Sequence, residues 1–254
     1  MKDKIQAMTR AYWQASRAPR YSLLFALPLL VFYQTLAATV PPGPRGGVRN
    51  GADVLLESAF TWVAGPRGPL VFMICLIGVG LWLVAKDMRA HGERLSPGVF
   101  GVMLAESVGL ALAFGVIVGG LTALVLGQPP GVLAAPSSPA LAERLGGWTV
   151  LMLSLGAGIY EELLFRVVLV SAFAWLAHRV AGWRPPVAGA AAALAGALLF
   201  SAFHYIGPYG DPLDVYSFVY RTIGGLFFSA LYLVRGFGIT AWTHSLYDVF
   251  LLVR

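Results

Sequence analysis

The stretch Trp148-Thr149-Val150-Leu151-Met152-Leu153-Ser154-Leu155-Gly156-Ala157-Gly158-Ile159-Tyr160-Glu161-Glu162-Leu163-Leu164-Phe165-Arg166-Val167-Val168-Leu169-Val170 decides the fold. It is apolar except for three charges near its middle, and the apolar character continues to residue 177. About 20 apolar residues cross a hydrocarbon core of about 30 Å as a helix. The run 148–177 is longer than that, so it is predicted to be one strongly tilted helix or two helices. Comparable runs occupy roughly 21–40, 69–85, 98–126, 187–206, 214–234 and 238–253. The expected fold is all-α: a polytopic transmembrane helical bundle of about seven spans.

Composition agrees. A soluble domain is about a quarter charged and just under half apolar, whereas this chain is 12% charged and 58% hydrophobic, with a mean hydropathy of +0.74. Cys75 is the single cysteine and has no intrachain disulfide partner. The net charge of +6 does not point to nucleic acid, because no basic run is interleaved with polar or aromatic readers. The positives instead sit at the ends of apolar segments. Seven spans with the N-terminus inside place Lys2, Lys4, Arg10, Arg17, Arg20, Lys86, Arg89, Arg94, Arg179, Arg184 and Arg235 on one side. Arg45, Arg49, Arg67, Arg144 and Arg254 fall on the other. That asymmetry favours a cytoplasmic N-terminus. Residues 21–40 also have the basic flank and Leu-rich core of a cleaved signal peptide, but the flank is long and further spans follow. Residues 41–68 are rich in Pro and Gly, yet Val54, Leu55, Leu56, Phe60 and Trp62 are expected to form a short interfacial helix. Residues 127–140 read as a Pro-rich loop.

Ionisable residues at membrane depth carry the functional information, since each is costly there unless it faces protein or water. They are Glu106, Glu161, Glu162, Arg166, His204, Arg221, His244 and Asp248. Glu162 and Arg166 are i and i+4, the spacing at which a Glu reaches an Arg on one helix face. Glu161 is rotated about 100° from Glu162 toward another neighbour. Arg166 neutralising Glu162 and leaving Glu161 as a base is one reading; a structural ion-pair network tying helices together is the other. His204 ends Phe200-Ser201-Ala202-Phe203-His204 near a span end, where a lone His is more often an interfacial anchor or helix-bonding residue. In His244-Ser245-Leu246-Tyr247-Asp248 the carboxylate can accept from the ring and fix its tautomer, or merely stabilise the helix. The chain has four histidines; His91 and His178 fall in basic loops. Glu106 is expected to pair with a cation or hydroxyl, and Arg221 to snorkel.

This pattern resembles the CAAX protease and bacteriocin-processing family, also called the Abi family. Its motifs EExxxR, FxxxH and HxxxN/D on successive membrane helices read here as Glu161-Glu162…Arg166, Phe200…His204 and His244…Asp248. The segment Gly225…Tyr232…Arg235-Gly236-Phe237-Gly238-Ile239 is similar to the family's stretch before the final His. The likeness covers about 148–252 and divides the chain into N-terminal membrane helices of generic character, 1–147, and a catalytic core, 148–254. It implies peptide-bond hydrolysis near the membrane. Glu161 is then general base, His204 positions the water with it, His244 stabilises the oxyanion with Asp248, and Glu162 and Arg166 support the site. Asn is frequent in the family where this chain has Asp248. An ionised carboxylate cannot donate to an oxyanion, so Asp248 must carry a proton or act behind His244. The resemblance implies a metal-free mechanism with no cofactor, and no HExxH occurs. Should a metal be held, Zn²⁺ on Glu161, His204 and His244 is the set, since two His and a carboxylate suit it. Straight spans separate His204 and His244 in depth. Either the later helices are short, tilted or broken, or the Gly236-Phe237-Gly238 turn is sunk in protein.

The expected function is an intramembrane endopeptidase of the inner or plasma membrane, acting on a membrane-associated protein or peptide, with the lipid bilayer as its other partner. The rival is an ion- or proton-coupled transporter with a Glu/Arg/His relay, which predicts paired broken helices from internal repeats; none is found.

Overall fold

The computed structural model describes residues 2–39, 48–91, 95–128, 145–207 and 210–252. Arg45, Arg94, Arg144 and Arg254 of the charge tally, and nearly all of the loop expected at 127–140, lie outside the described residues. Among the described residues every regular element is helical, so the all-α class is borne out. The chain runs α1 (Lys2–Arg17), α2 (Pro19–Thr39), α3 (Gly51–Ala64), α4 (Gly68–His91) and α5 (Pro97–Val125). Then come a long α6 (147–179), α7 (Pro185–Phe203), α8 (Val215–Arg235) and α9 (Phe237–Leu252). The helix expected around Val54–Trp62 is α3, which folds back against α4.

Local chemistry sets the boundaries. Proline at the first turn starts α5 and α7, where its fixed φ is already helical and its missing N–H is no loss. The Asp214 carboxylate accepts from the Ser217 N–H at 2.8 Å and caps α8. Gly236, at φ 81°, turns the chain from α8 into α9, a conformation that costs glycine little.

Five helical stretches among the described residues are long and apolar enough to cross a bilayer: Pro19–Thr39, Gly51–His91, Pro97–Val125, Pro185–Phe203 and Val215–Arg235. Their outward faces are apolar, as with Val79, Leu81 and Trp82 on α4 and Val116 and Leu124 on α5. Such faces suit lipid and not water. The chain is a multi-pass membrane protein.

α9 stands at the centre, packed on α2, α5, α6 and α8. Its middle is lined with small residues: Thr240, Ala241, Thr243 and Ser245 are all buried. Small side chains let helix backbones approach, which is what drives association where lipid offers no hydrophobic gain. α7 does the same with Ala188, Ala192, Gly196 and Ala197. A Cβ on Gly196 would collide with Val170 of α6, and one on Gly225 would press on Ala197. One aromatic core joins Tyr33, Phe72, Tyr160, Phe165 and Phe200; a second joins Phe25, Phe114, Phe228 and Tyr247.

The α8–α9 turn is closed in from the N-terminal side. The Gly238 N–H donates to Ser22 Oγ at 2.8 Å, and Arg17 Nη2 donates to the Leu233 carbonyl at 3.1 Å. Beside it, Glu106 accepts from Arg235 at 2.6 and 2.7 Å and from the Tyr12 hydroxyl at 2.5 Å. Glu106 thus finds both the cation and the hydroxyl expected of it.

Candidate active site

α6 is not a uniform α-helix. It is α-helical over Gly147–Gly156, widens to π-helix over Ala157–Glu161 and Leu163–Val170, and is α-helical again over Ser171–Arg179. A π turn holds an extra residue and leaves carbonyls poorly paired, and such turns concentrate at functional sites. Two hydroxyls supply partners. Ser245 Oγ donates to the Leu155 carbonyl at 3.4 Å and Ser171 Oγ to the Arg166 carbonyl at 3.3 Å. Gly158 makes the approach of α9 possible, because a Cβ there would overlap Ser245 Oγ and the Ala241 carbonyl.

The widened segment presents Glu161 and Glu162 to different partners. Glu161 is buried. Its Oε1 accepts from Asn50 Nδ2 at 2.8 Å, while its Oε2 is buried without a hydrogen-bond partner. Asn50 is held in turn: its Oδ1 caps α3 through the Ala52 N–H at 2.9 Å, and its own N–H donates to the Tyr33 hydroxyl at 3.2 Å. Tyr33 donates to Asp53 at 2.6 Å, which also accepts from Arg49 Nε at 2.7 Å. Gln34 donates to the Tyr160 hydroxyl at 2.6 Å, fixing the residue next to Glu161. This network comes from α2, α3 with the two residues before it, and the middle of α6, and none of it was expected from the sequence. Asn before an apolar helix is a readable N-cap signal, but its second partner is not.

Glu162 is fully buried and acts as a hub. Its Oε1 lies 3.0 Å from Arg166 Nη1 and 2.7 Å from His244 Nδ1. The expected pairing of Glu162 with Arg166 is present. Arg166 also donates to the Gly225 carbonyl at 3.3 Å and lies over the Phe200 ring at 4.5 Å. The His244 ring stacks on Phe228 with centroids 4.4 Å apart. Asp248 Oδ2 is 3.8 Å from His244 Nε2, beyond hydrogen-bond length. The carboxylate that holds the ring is therefore Glu162, from another helix, and not the i+4 Asp248 read from the sequence. Asp248 flanks the opposite ring nitrogen.

His204 caps the C-terminus of α7. Its Nδ1 is 2.8 Å from the Phe200 carbonyl; a carbonyl only accepts, so Nδ1 carries the proton and Nε2 is left as an acceptor. Glu161, His204, His244, Asp248, Arg221 and Tyr247 all line one cavity of about 210 Å³. Glu162 and Arg166 sit behind it. His204 and His244 line the same cavity despite the depth expected to separate them, and the Gly236–Gly238 turn is closed in by α1 and α2. Arg221 pairs with Asp211 at 2.5 Å, a structural role, and also lines the cavity. Among the described residues, no three His, Cys, Asp or Glu side chains have the arrangement of a metal site.

The bundle thus brings Glu161, Asp248 and two histidines to one cavity, with Glu162 buried behind it, an arrangement suited to acid–base chemistry. Residues 144–250 match the family model described as type II CAAX prenyl endopeptidase Rce1-like. The chain therefore carries an Rce1-like domain, which implies a membrane protease of the CAAX type. Comparison with curated proteins and with solved structures returns no match.

Proposed function

We propose that the protein is an intramembrane endopeptidase in which Glu161 and His204 activate a water for attack on a peptide bond of a membrane-associated substrate. The observation that carries this is the asymmetry of Glu161: Asn50 pins Oε1, and Oε2 is buried without a partner beside the cavity shared with His204. Water held between Glu161 Oε2 and His204 Nε2 loses a proton to Glu161 as its oxygen bonds to the scissile carbonyl carbon. The carbonyl π electrons move to oxygen. The resulting oxyanion receives hydrogen bonds from Nε2–H of His244, whose ring carries both protons in this reading because Nδ1–H is given to Glu162, and from the protonated carboxyl of Asp248. Two donors 3.8 Å apart can each stand about 2.7–3.1 Å from one oxygen. Glu162 takes the Nδ1 proton side of His244, and Arg166 offsets its charge. The tetrahedral intermediate collapses with cleavage of the C–N bond, and Glu161 returns its proton to the departing amine. No step in this reading uses a metal or cofactor.

The reading includes about seven spans with the N-terminus in the cytoplasm. Arg17 and Arg20 at the start of α2, Lys86 and Arg89 near the end of α4, Arg179 and Arg184 between α6 and α7, and Arg235 ending α8 fall at one end of alternating helices. The more basic end faces the cytoplasm, so the turn carrying His204 lies on the outer side.

Glu161→Gln tests the mechanism, because the amide keeps the shape but cannot take the proton. Turnover of a peptide precursor in membranes should fall on the order of 10²–10⁴-fold, with the melt of the purified protein little changed. A well-folded Glu161→Gln protein with full activity refutes it.

A further inference from the structure

Arg221 is a cation that its pair with Asp211 accounts for only in part and the hydrolytic step does not use. It sits in the second turn of α8, its side chain only 13% exposed, and it lines the same cavity as Glu161, His204 and Asp248. One edge of the guanidinium is held, Nη2 donating to Asp211 Oδ2 at 2.5 Å. One face lies over the Tyr205 ring at 5.3 Å. The other terminal nitrogen, Nη1, is buried and has no hydrogen-bond partner. Arg235 also leaves Nη1 without a partner, but it spends Nε and Nη2 on Glu106 and does not line the cavity. A guanidinium fixed on one edge, with a donor left over on a residue that lines the cavity, is a preorganised carboxylate receptor. A buried donor without a partner is costly, and an entering acceptor relieves that cost.

We propose that Arg221 receives a carboxylate of the bound peptide, so that the site selects substrates presenting an acidic group close to the scissile bond. This rests on the endopeptidase reading above. The cavity of about 210 Å³ is smaller than the roughly 300–1,000 Å³ of drug-sized pockets, so the acidic group and the scissile bond must belong to one short extended segment. Two sources supply the same chemistry: the peptide's own C-terminus, and an Asp or Glu side chain.

The test uses purified full-length protein in liposomes and synthetic S-farnesylated peptides in matched sets. One set differs only in a C-terminal carboxylate or carboxamide, and the other only in Glu or Gln near the cleavage point. For the source that is read, wild type should favour the acidic member about ten- to a hundredfold in kcat/KM. In Arg221→Gln the ratio should collapse toward one, and in Arg221→Lys, which keeps the charge but loses the fork, it should be intermediate. Asp211→Asn, which removes the outer partner, should keep the preference. If Arg221 serves only to anchor the α7–α8 turn, Asp211→Asn and Arg221→Gln will slow both members of each set alike, which overturns the proposal. Cleavage by wild type with no acid preference in either set also overturns it, and leaves the peptidase reading standing. Absence of any Glu161-dependent cleavage removes the peptidase reading and this inference with it.

Discussion

Replacing Asn50 separates two jobs that one side chain performs. Its Oδ1 caps α3 and its Nδ2 holds Glu161 Oε1 at 2.8 Å. Asn50→Ala removes both. Loss of an N-cap destabilises by about 0.5–2 kcal/mol, which is a few degrees in Tm for a chain of this size. Loss of a hydrogen bond to a charged acceptor is about 1.5–3 kcal/mol. Spent on orienting the general base, it lowers kcat roughly ten- to a hundredfold at 1.36 kcal/mol per decade. KM should move little, because Asn50 does not line the cavity. Asn50→Asp gives the opposite pattern. Asp caps as well as Asn, so α3 and the melt are preserved, but an ionised carboxylate only accepts and would face Glu161 as a like charge. Activity should drop further than in the Ala variant. It should partly return as the pH is lowered, because one proton shared by the two carboxyls restores a donor to Glu161. The assay is kcat and KM in proteoliposomes over a pH series, beside melts of each purified variant. Wild-type kcat in a folded Asn50→Ala protein, or identical pH profiles for wild type and Asn50→Asp, would refute the reasoning.

Arg166→Leu should cost about 3–5 kcal/mol in a detergent melt, because it strands a carboxylate that is 0% exposed. Adding Glu162→Leu should return part of the loss, and strictly additive losses in the double-mutant cycle would argue against the pair. Asp248→Asn should keep most activity, since the amide N–H donates where the protonated carboxyl did, whereas Asp248→Ala should lose on the order of 10²-fold or more; equal loss in both would assign Asp248 to a task other than donation. Purified active protein is expected to contain far less than one equivalent of Zn²⁺ and to survive chelation, and stoichiometric Zn²⁺ removed together with activity would reassign Glu161, His204 and His244 as ligands.

Apolar length and charge spacing made the helices legible, and the runs ending near 40, 85, 126, 206, 234 and 253 coincide with helices of the bundle. Glu161, His204, His244 and Asp248 were legible for a related reason: polar groups at membrane depth must converge on one another or on water, and few candidates exist. What escaped has a common cause. The π widening of α6 depends on Ser245 and on room at Gly158, and the grip on Glu161 depends on Asn50, 111 positions away. The i, i+4 rule correctly placed Asp248 near His244, but a helix-local rule has no knowledge of Glu162, which approaches the other ring nitrogen from α6. Arg221 reads as structural in the sequence, which its pair with Asp211 fits, but only the tertiary fold brings it to the wall of a cavity.

The bonds that close the α8–α9 turn against α1 and α2 join residues 216 positions apart in the chain. During synthesis the first helices therefore enter the bilayer with Arg17 and Ser22 still awaiting their partners, as Asn50 awaits Glu161. Loop closure over such a separation comes late. Until α9 docks, the cavity lacks His244, Tyr247 and Asp248 from its wall. If the proposed mechanism holds, a copy still lacking α9 should be unable to turn over substrate, and activity should appear only once α9 has docked.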